Sequence, residues 1–197
     1  SMTADKTVFA KWQTIDYTLT YNLDGGSMSE TTKSYSIKDT FTLPTPTKTG
    51  YTFNGWKVTT ADGNWAENGV CNAGDTVSGM SGNVTLTAQW QINSFTVTFK
   101  FADGTTTSVQ CNYNTTPTAP ANTAAYNDAS GHHTFAWPAI SAVTGNVTYT
   151  EKETIGAHSY NKVVTPPTCN AKGYTTHTCS VCDDEYVDRV AEEIMNR

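Results

Sequence analysis

Three cysteines and a histidine near the end of the chain have the residue types of a metal site. Cys179 and Cys182 are separated by Ser180 and Val181, and Cys169 stands ten residues before the pair. A C-x-x-C turn lets two sulfurs reach one ion, and a tetrahedral zinc takes four sulfur or nitrogen donors, often three Cys and one His. His158, Cys169, Cys179 and Cys182 are therefore the candidate ligands of a structural zinc, with His177 competing for the histidine position. The same sulfurs have two other outcomes: a disulfide between two of them, which a secreted protein permits, or free thiols. Five cysteines, with Cys71 and Cys111 far apart, exclude a framework in which every cysteine is paired within the chain. No strand–helix–strand pattern surrounds the C-x-x-C, which argues against thioredoxin-like redox chemistry.

The remaining candidates are weaker. His132-His133, in "ASGHHTF", reads as a solvated loop pair. Trp65 lies in the polar stretch "TTADGNWAENG"; an indole exposed there is a candidate contact for a host glycan or a protein ligand. Trp12, Trp56, Trp90 and Trp137 recur at related places in the sequence and are expected to pack rather than bind. Asp24-Gly25-Gly26 and Asp103-Gly104 are turn signals, not phosphate loops, because no helix pattern follows them. There is no nucleophile elbow, H-E-x-x-H helix, Walker loop or EF-hand loop, and the expectation is a protein without catalysis. A net charge of −6 with no basic stripe leaves nothing to neutralise a nucleic-acid backbone. No apolar run in this stretch approaches the roughly 18 residues of a membrane span.

The elements that must hold these residues are short strands. Threonine occurs 37 times, and its β-branched side chain suits a pleated surface with one wet face. Fourteen Gly and seven Pro supply the turns between strands. "GNVTLTAQW", from Gly82 to Trp90, alternates apolar and polar residues with period two. Related segments stand at "ADKTVFAKW", ending at Trp12, and at "GNVTYTEKE", starting at Gly145. "DYTLTYNLDGG" at Asp16 likewise returns as "SFTVTFKFADG" at Ser94, and "YTFNGW" at Tyr51 as "HTFAW" at His133. A Pro-containing connector precedes the last pair in both cases, Leu43-Pro44-Thr45-Pro46 and Pro117-Thr118-Ala119-Pro120. The pattern divides the chain into residues 2–13 as the last strand of a preceding repeat, 14–91 and 92–154 as two β units, 155–188 as a Cys-rich module and 189–197 as a tail. The chain thus begins inside a repeat, which points to sequence upstream, and the final "VAEEIMNR" has room for one or two helical turns.

"YTLTYNLDGGS … LPTPTKTGYTFNGWKV … GNVTLTAQW" resembles the Listeria–Bacteroides repeat, the family of the internalin B-repeat. Unit two resembles a divergent relative from surface proteins of Gram-positive gut bacteria; Glu151-Lys152-Glu153 stands there in place of Ala88-Gln89-Trp90. The resemblance implies a mainly β chain of tandem, small β-grasp-like domains, each a sheet with a short helix or loop across it. It also implies an extracellular, cell-surface or wall-attached protein, in which such repeats form a stalk with neighbouring repeats as their partners. His158, Thr168-Cys169, Gly173-Tyr174 and the Cys179/Cys182 pair resemble a short cysteine module of clostridial surface proteins, with Asp183 where glycine is usual. The resulting expectation is a non-catalytic spacer with a possible part in adhesion; the alternatives are a glycan- or protein-binding module and an accessory part of a surface hydrolase.

Overall fold

The computed structural model of the chain describes residues 7 and 9–188. The described residues form sixteen strands and no helix. They divide into two compact units, one running to Ser94 with residues 112–114 added, the other comprising residues 95–111 and those from Thr115 onward.

Unit one contains β1 (Asp16–Asn22), β2 (Thr32–Ser36), β3 (Thr40–Thr42), β4 (Tyr51–Ala61), β5 (Val70–Cys71), β6 (Thr76–Ser78) and β7 (Val84–Ile92). Five of them make one sheet in the order β2-β1-β7-β4-β5, and β3 pairs with β6 in a separate ribbon. Within the sheet β1 and β7 run parallel, with Leu19 opposite Val84 and Tyr21 opposite Leu86. The period-two pattern sets which face is dry: Leu19 and Tyr21 of β1 and Val84, Leu86 and Ala88 of β7 are buried. Trp56 is completely buried at the centre, and its indole donates a 2.9 Å hydrogen bond to the Pro44 carbonyl. It reaches that place because β4 bulges between Phe53 and Trp56. Gly55 turns the bulge at φ +100°, where an added Cβ would stand 2.9 Å from the Cys71 carbonyl oxygen. The expected cover over the sheet is not a helix. The Leu43–Pro46 connector and the β3–β6 ribbon supply Leu43, Phe41 and Val77 to the core.

Unit two is built around β8 (Ser94–Lys100), β9 (Thr106–Asn112), β10 (Tyr126–Asp128), β11 (Gly131–Ala136), β12 (Val147–Thr150) and β13 (Lys152–Gly156). Its last strands are β14 (Tyr160–Thr165), β15 (Tyr174–Cys179) and β16 (Glu185–Asp188). These give three three-stranded sheets, ordered β12-β8-β9, β10-β11-β13 and β14-β15-β16. β8 and β12 are parallel, Val97 opposite Val147, as β1 and β7 are in unit one. Val97, Phe99 and Val143 form a second core, flanked by Phe95, Trp137, Ile140 and Tyr149. The Trp137 indole donates to the Pro120 carbonyl at 2.9 Å. Phe135, whose place in the pattern predicts packing, stacks on Tyr126. The buried carboxylate of Glu151, where the first unit has Ala88, accepts N–H bonds from Thr123 and Ala102 and a hydroxyl bond from Thr123. Desolvation pushes this carboxyl up, but those donors outweigh it and hold it below the usual range.

Each unit therefore carries its own apolar interior. The strand expected over residues 2–13 falls partly outside the described residues, and residues 7 and 9–13 are not in a strand. Trp12 is 92% exposed instead of packed. In the other two copies this segment pairs with a first strand of its own unit, and no such strand precedes Trp12 among the described residues. The tail at 189–197 lies outside the described residues.

Candidate metal centre

The β10–β11 hairpin turns through Asp128–Gly131, and Asp128 organises it. Its carboxylate accepts from the Ser130 backbone at 2.8 Å and hydroxyl at 2.6 Å, and it lies 3.0 Å from His133 Nε2. Those bonds, Ser130 first, hold its carboxyl down at about 2. On β11 successive side chains alternate between faces, so His132 and His133 part company. His133 is buried, stacked on Tyr126 with ring centroids 4.2 Å apart, its Nδ1 2.5 Å from Glu153. The Glu153 and Asp128 contacts raise its pKa against the opposing effect of desolvation. His132 turns the other way. It stands opposite Gly156 in the β11–β13 register, and the chain reaches His158 two residues later.

Four side chains converge there: His132, His158, Cys179 and Cys182, with one donor atom of each within 4.8 Å of all the others. His132 Nε2 is 3.4 Å from Cys179 Sγ, and His158 Nδ1 is 3.5 Å from Cys182 Sγ. An ion with bonds of about 2.3 Å to sulfur and about 2.0–2.1 Å to nitrogen, at tetrahedral angles, sets S and N about 3.5 Å apart. The donor set is that of a tetrahedral Cys2His2 ion, and these two S–N separations match its spacing.

The far nitrogens of both imidazoles are occupied. His132 Nδ1–H donates to Asn127 Oδ1 at 2.9 Å, and His158 Nε2–H donates to the Asp128 carbonyl at 2.8 Å. Each ring thereby keeps its far proton, so the near nitrogen, facing the sulfurs, is the one that gives up its proton to bind a cation. The Cys179 thiol is held at about 5: burial pushes it up, but the Val181 N–H, the His158 ring and the Cys182 N–H together outweigh burial. For Cys182 the Asp184 backbone pulls down, but burial and the neighbouring Cys179 together outweigh it and push this thiol up. Two sulfurs this close repel each other as thiolates, and a cation between them would offset that repulsion. A cleft of about 340 Å³, lined in part by Asn127, His158, Cys182 and Asp184, opens beside the cluster.

Of the four expected ligands, His158, Cys179 and Cys182 are brought together and Cys169 is not. Cys169 is exposed in the turn closed by the Thr168–Ala171 bridge, and His132 takes its position as fourth donor. His132 lies on a strand, not in a solvated loop, and adjacent histidines on a strand necessarily face opposite sides. That alternation was the available signal. His177 does not compete: it is buried against Tyr186, ring centroids 4.3 Å apart, with Nε2 2.9 Å from Asp188 but not aligned for a hydrogen bond. Trp65 is not an exposed contact either. It is 7% exposed in the core of unit one, donating at 2.7 Å to Tyr35 Oη.

The first unit is a small all-strand module of the kind that recurs in tandem, closed by a buried Trp and by a parallel pairing of its outermost strands in sequence. Residues 17–89 match the Listeria-Bacteroides repeat domain, a non-catalytic repeat family found in surface proteins. Two proteins of Evansella cellulosilytica are also similar. One, provisionally named a Gly-rich membrane protein, is 34% identical over 103 residues, 51% of this chain and 11% of that protein. The other, provisionally named a membrane protein, is 31% identical over 134 residues, 66% of this chain and 18% of its own length. The chain thus spans less than a fifth of either relative. No helix among the described residues is long and apolar enough to cross a membrane.

Proposed function

We propose that this chain is a non-catalytic, extracellular stretch of a bacterial surface or secreted protein that spaces and presents other parts of its parent. Two successive repeat units, 14–91 and 92–154, would form the spacer, and residues 155–188 a small module held by a structural zinc at His132, His158, Cys179 and Cys182. The observation that carries this reading is that both units repeat the same two fastenings. Thr18 N–H donates to Asn83 Oδ1 and Thr96 N–H to Asn146 Oδ1, each at 2.9 Å. Trp56 and Trp137 each donate to a prolyl carbonyl in the preceding connector, again at 2.9 Å. A chain that spends its aromatic rings on duplicated internal fastenings has few left to offer a ligand, and Trp65 is among those spent.

The alternative is an adhesive module for a host glycan or protein. The test is to present the purified chain to arrays of host glycans, mucins and matrix proteins, beside an unrelated β-repeat of equal length. A spacer retains nothing above that control. Saturable binding competed by the free ligand would replace this reading with the adhesive one.

A further inference from the structure

We propose that the ion held by His132, His158, Cys179 and Cys182 is a clasp between two sheets, so that zinc loading decides whether the β14–β16 sheet is fixed to the β10–β11–β13 sheet or swings free of it. The inference rests on the metal reading given above. Its first support is where the ligands come from. His132 belongs to β11, His158 to the connector after β13, Cys179 to the end of β15 and Cys182 to the turn that follows. A single ion would therefore be bonded to both sheets and to the segment that joins them.

The second support is what else joins the two sheets. Among the described residues, no strand of one packs along a strand of the other. The ties lie at the cluster itself: His132 to Cys179, His158 to Cys182, and His158 to the Asp128 carbonyl. The third is the poverty of the β14–β16 interior. Val163, Val164 and Val187 are 63%, 69% and 47% exposed, and only Gly173, His177 and Cys179 are buried in the module. A three-stranded sheet with its apolar side chains in water has little to hold it, and small modules of this kind draw their folding free energy from a metal or a disulfide. Cys179, one of the three buried residues, is itself a ligand.

The fourth is preorganisation. Asn127 and Asp128, at the end of β10, orient both imidazoles, and neither is part of the Cys-rich module. The preceding sheet thus supplies one ligand and the partners of both histidines, and the cysteine turn supplies the thiolates.

The test uses the full chain, reduced, with zinc added or removed by a chelator. Zinc content and affinity are measured together with ¹⁵N relaxation of amides in both sheets. Expected are one zinc per chain and a single tumbling time for β10–β13 and β14–β16 with zinc. In chelator, the β14–β16 amides should tumble faster or lose their dispersion while β8 and β12 are unchanged. Asn127→Leu should weaken zinc binding about ten- to a hundredfold, as loss of a ligand's hydrogen-bond partner does. His132→Ala should weaken it further and release the module even at zinc concentrations that saturate the wild type, whereas Cys169→Ser should change neither. Failure of the reduced wild-type chain to bind zinc would overturn the metal reading and the clasp together. Zinc bound at one per chain with unchanged affinity in His132→Ala, or relaxation identical with and without zinc, would overturn the clasp alone.

Discussion

Trp56→Ala tests whether the first repeat is held by its buried ring. The side chain is completely buried, with ring centroids 4.9 Å from Tyr21 and 5.2 Å from Phe53, so nothing close-packed replaces it when it is cut back. Truncations of this kind cost about 3–5 kcal/mol. The Pro44 carbonyl also loses its donor, and an unpaired acceptor away from water costs about 1–3 kcal/mol. A matched folded domain the length of residues 17–89 has a total stability of about 4–11 kcal/mol, at about 0.05–0.15 kcal/mol per residue. The substitution therefore removes between about a third and all of what holds this unit. Trp56→Phe separates the two contributions: it keeps an aromatic ring against Tyr21 and Phe53 and deletes only the indole N–H and part of the area, at about half the cost. Urea unfolding of the whole chain, read by hydrogen exchange at β4 and β7 amides, measures both. A loss of less than about 1 kcal/mol in Trp56→Ala, the size of an ordinary point substitution, would refute the claim that the ring is the keystone of the unit.

Three further outcomes are expected. Tyr35→Phe removes a hydroxyl that accepts from Trp65 and donates to the Gly82 carbonyl, so two buried groups lose their partner; the cost is about 1–3 kcal/mol, read as a lower urea midpoint. Gly82→Ala places a Cβ 1.9 Å from the Asp62 carbonyl oxygen at φ +92°, which should break the hydrogen bonds between Asp62 and Asn83 and be seen as faster exchange at the start of β7. The Glu151 carboxyl is depressed in the folded chain, so its contribution is present above the unfolded carboxylate range near pH 4 and is lost as pH falls through the lower folded value. Glu151→Gln should lower stability at neutral pH and flatten the acid limb of a plot of unfolding midpoint against pH; an unchanged acid limb would show that other carboxylates set it.

Much of the repeat architecture was legible in the residues because it is written locally. Period-two alternation in Val84–Trp90 and Tyr17–Tyr21 put the right side chains inside, and the duplicated Asn-Val-Thr marked a recurring strand, but its parallel pairing with each first strand is a long-range contact that no local pattern carries. The helix or loop expected over the sheet could not be resolved from sequence, since Leu43, Phe41 and Val77 carry no periodicity that separates a ribbon from a helix. Trp65 misled because its neighbours in sequence are polar, whereas its surroundings are set by the phenol of Tyr35, thirty residues away. The metal cluster was legible only where it is local. Cys179 and Cys182 announce themselves by spacing, but His132 becomes a neighbour through the β11–β13 register, which sets it beside Gly156 and so beside His158. Cys169 matched by residue type alone, and a turn carries it outward.

The parallel pairing of β1 with β7, and of β8 with β12, has a consequence under load. In unit one these are the first and last strands, and β8 and β12 are the first and last of the stretch from Ser94 to Thr150; each pair lies side by side, with its ladder of backbone hydrogen bonds running across the direction in which the ends of that stretch would be pulled. Tension between those ends loads the ladder in shear, so that its bonds must fail together instead of unzipping one by one. Units of this kind joined in series would resist tension by a route that equilibrium stability alone does not measure.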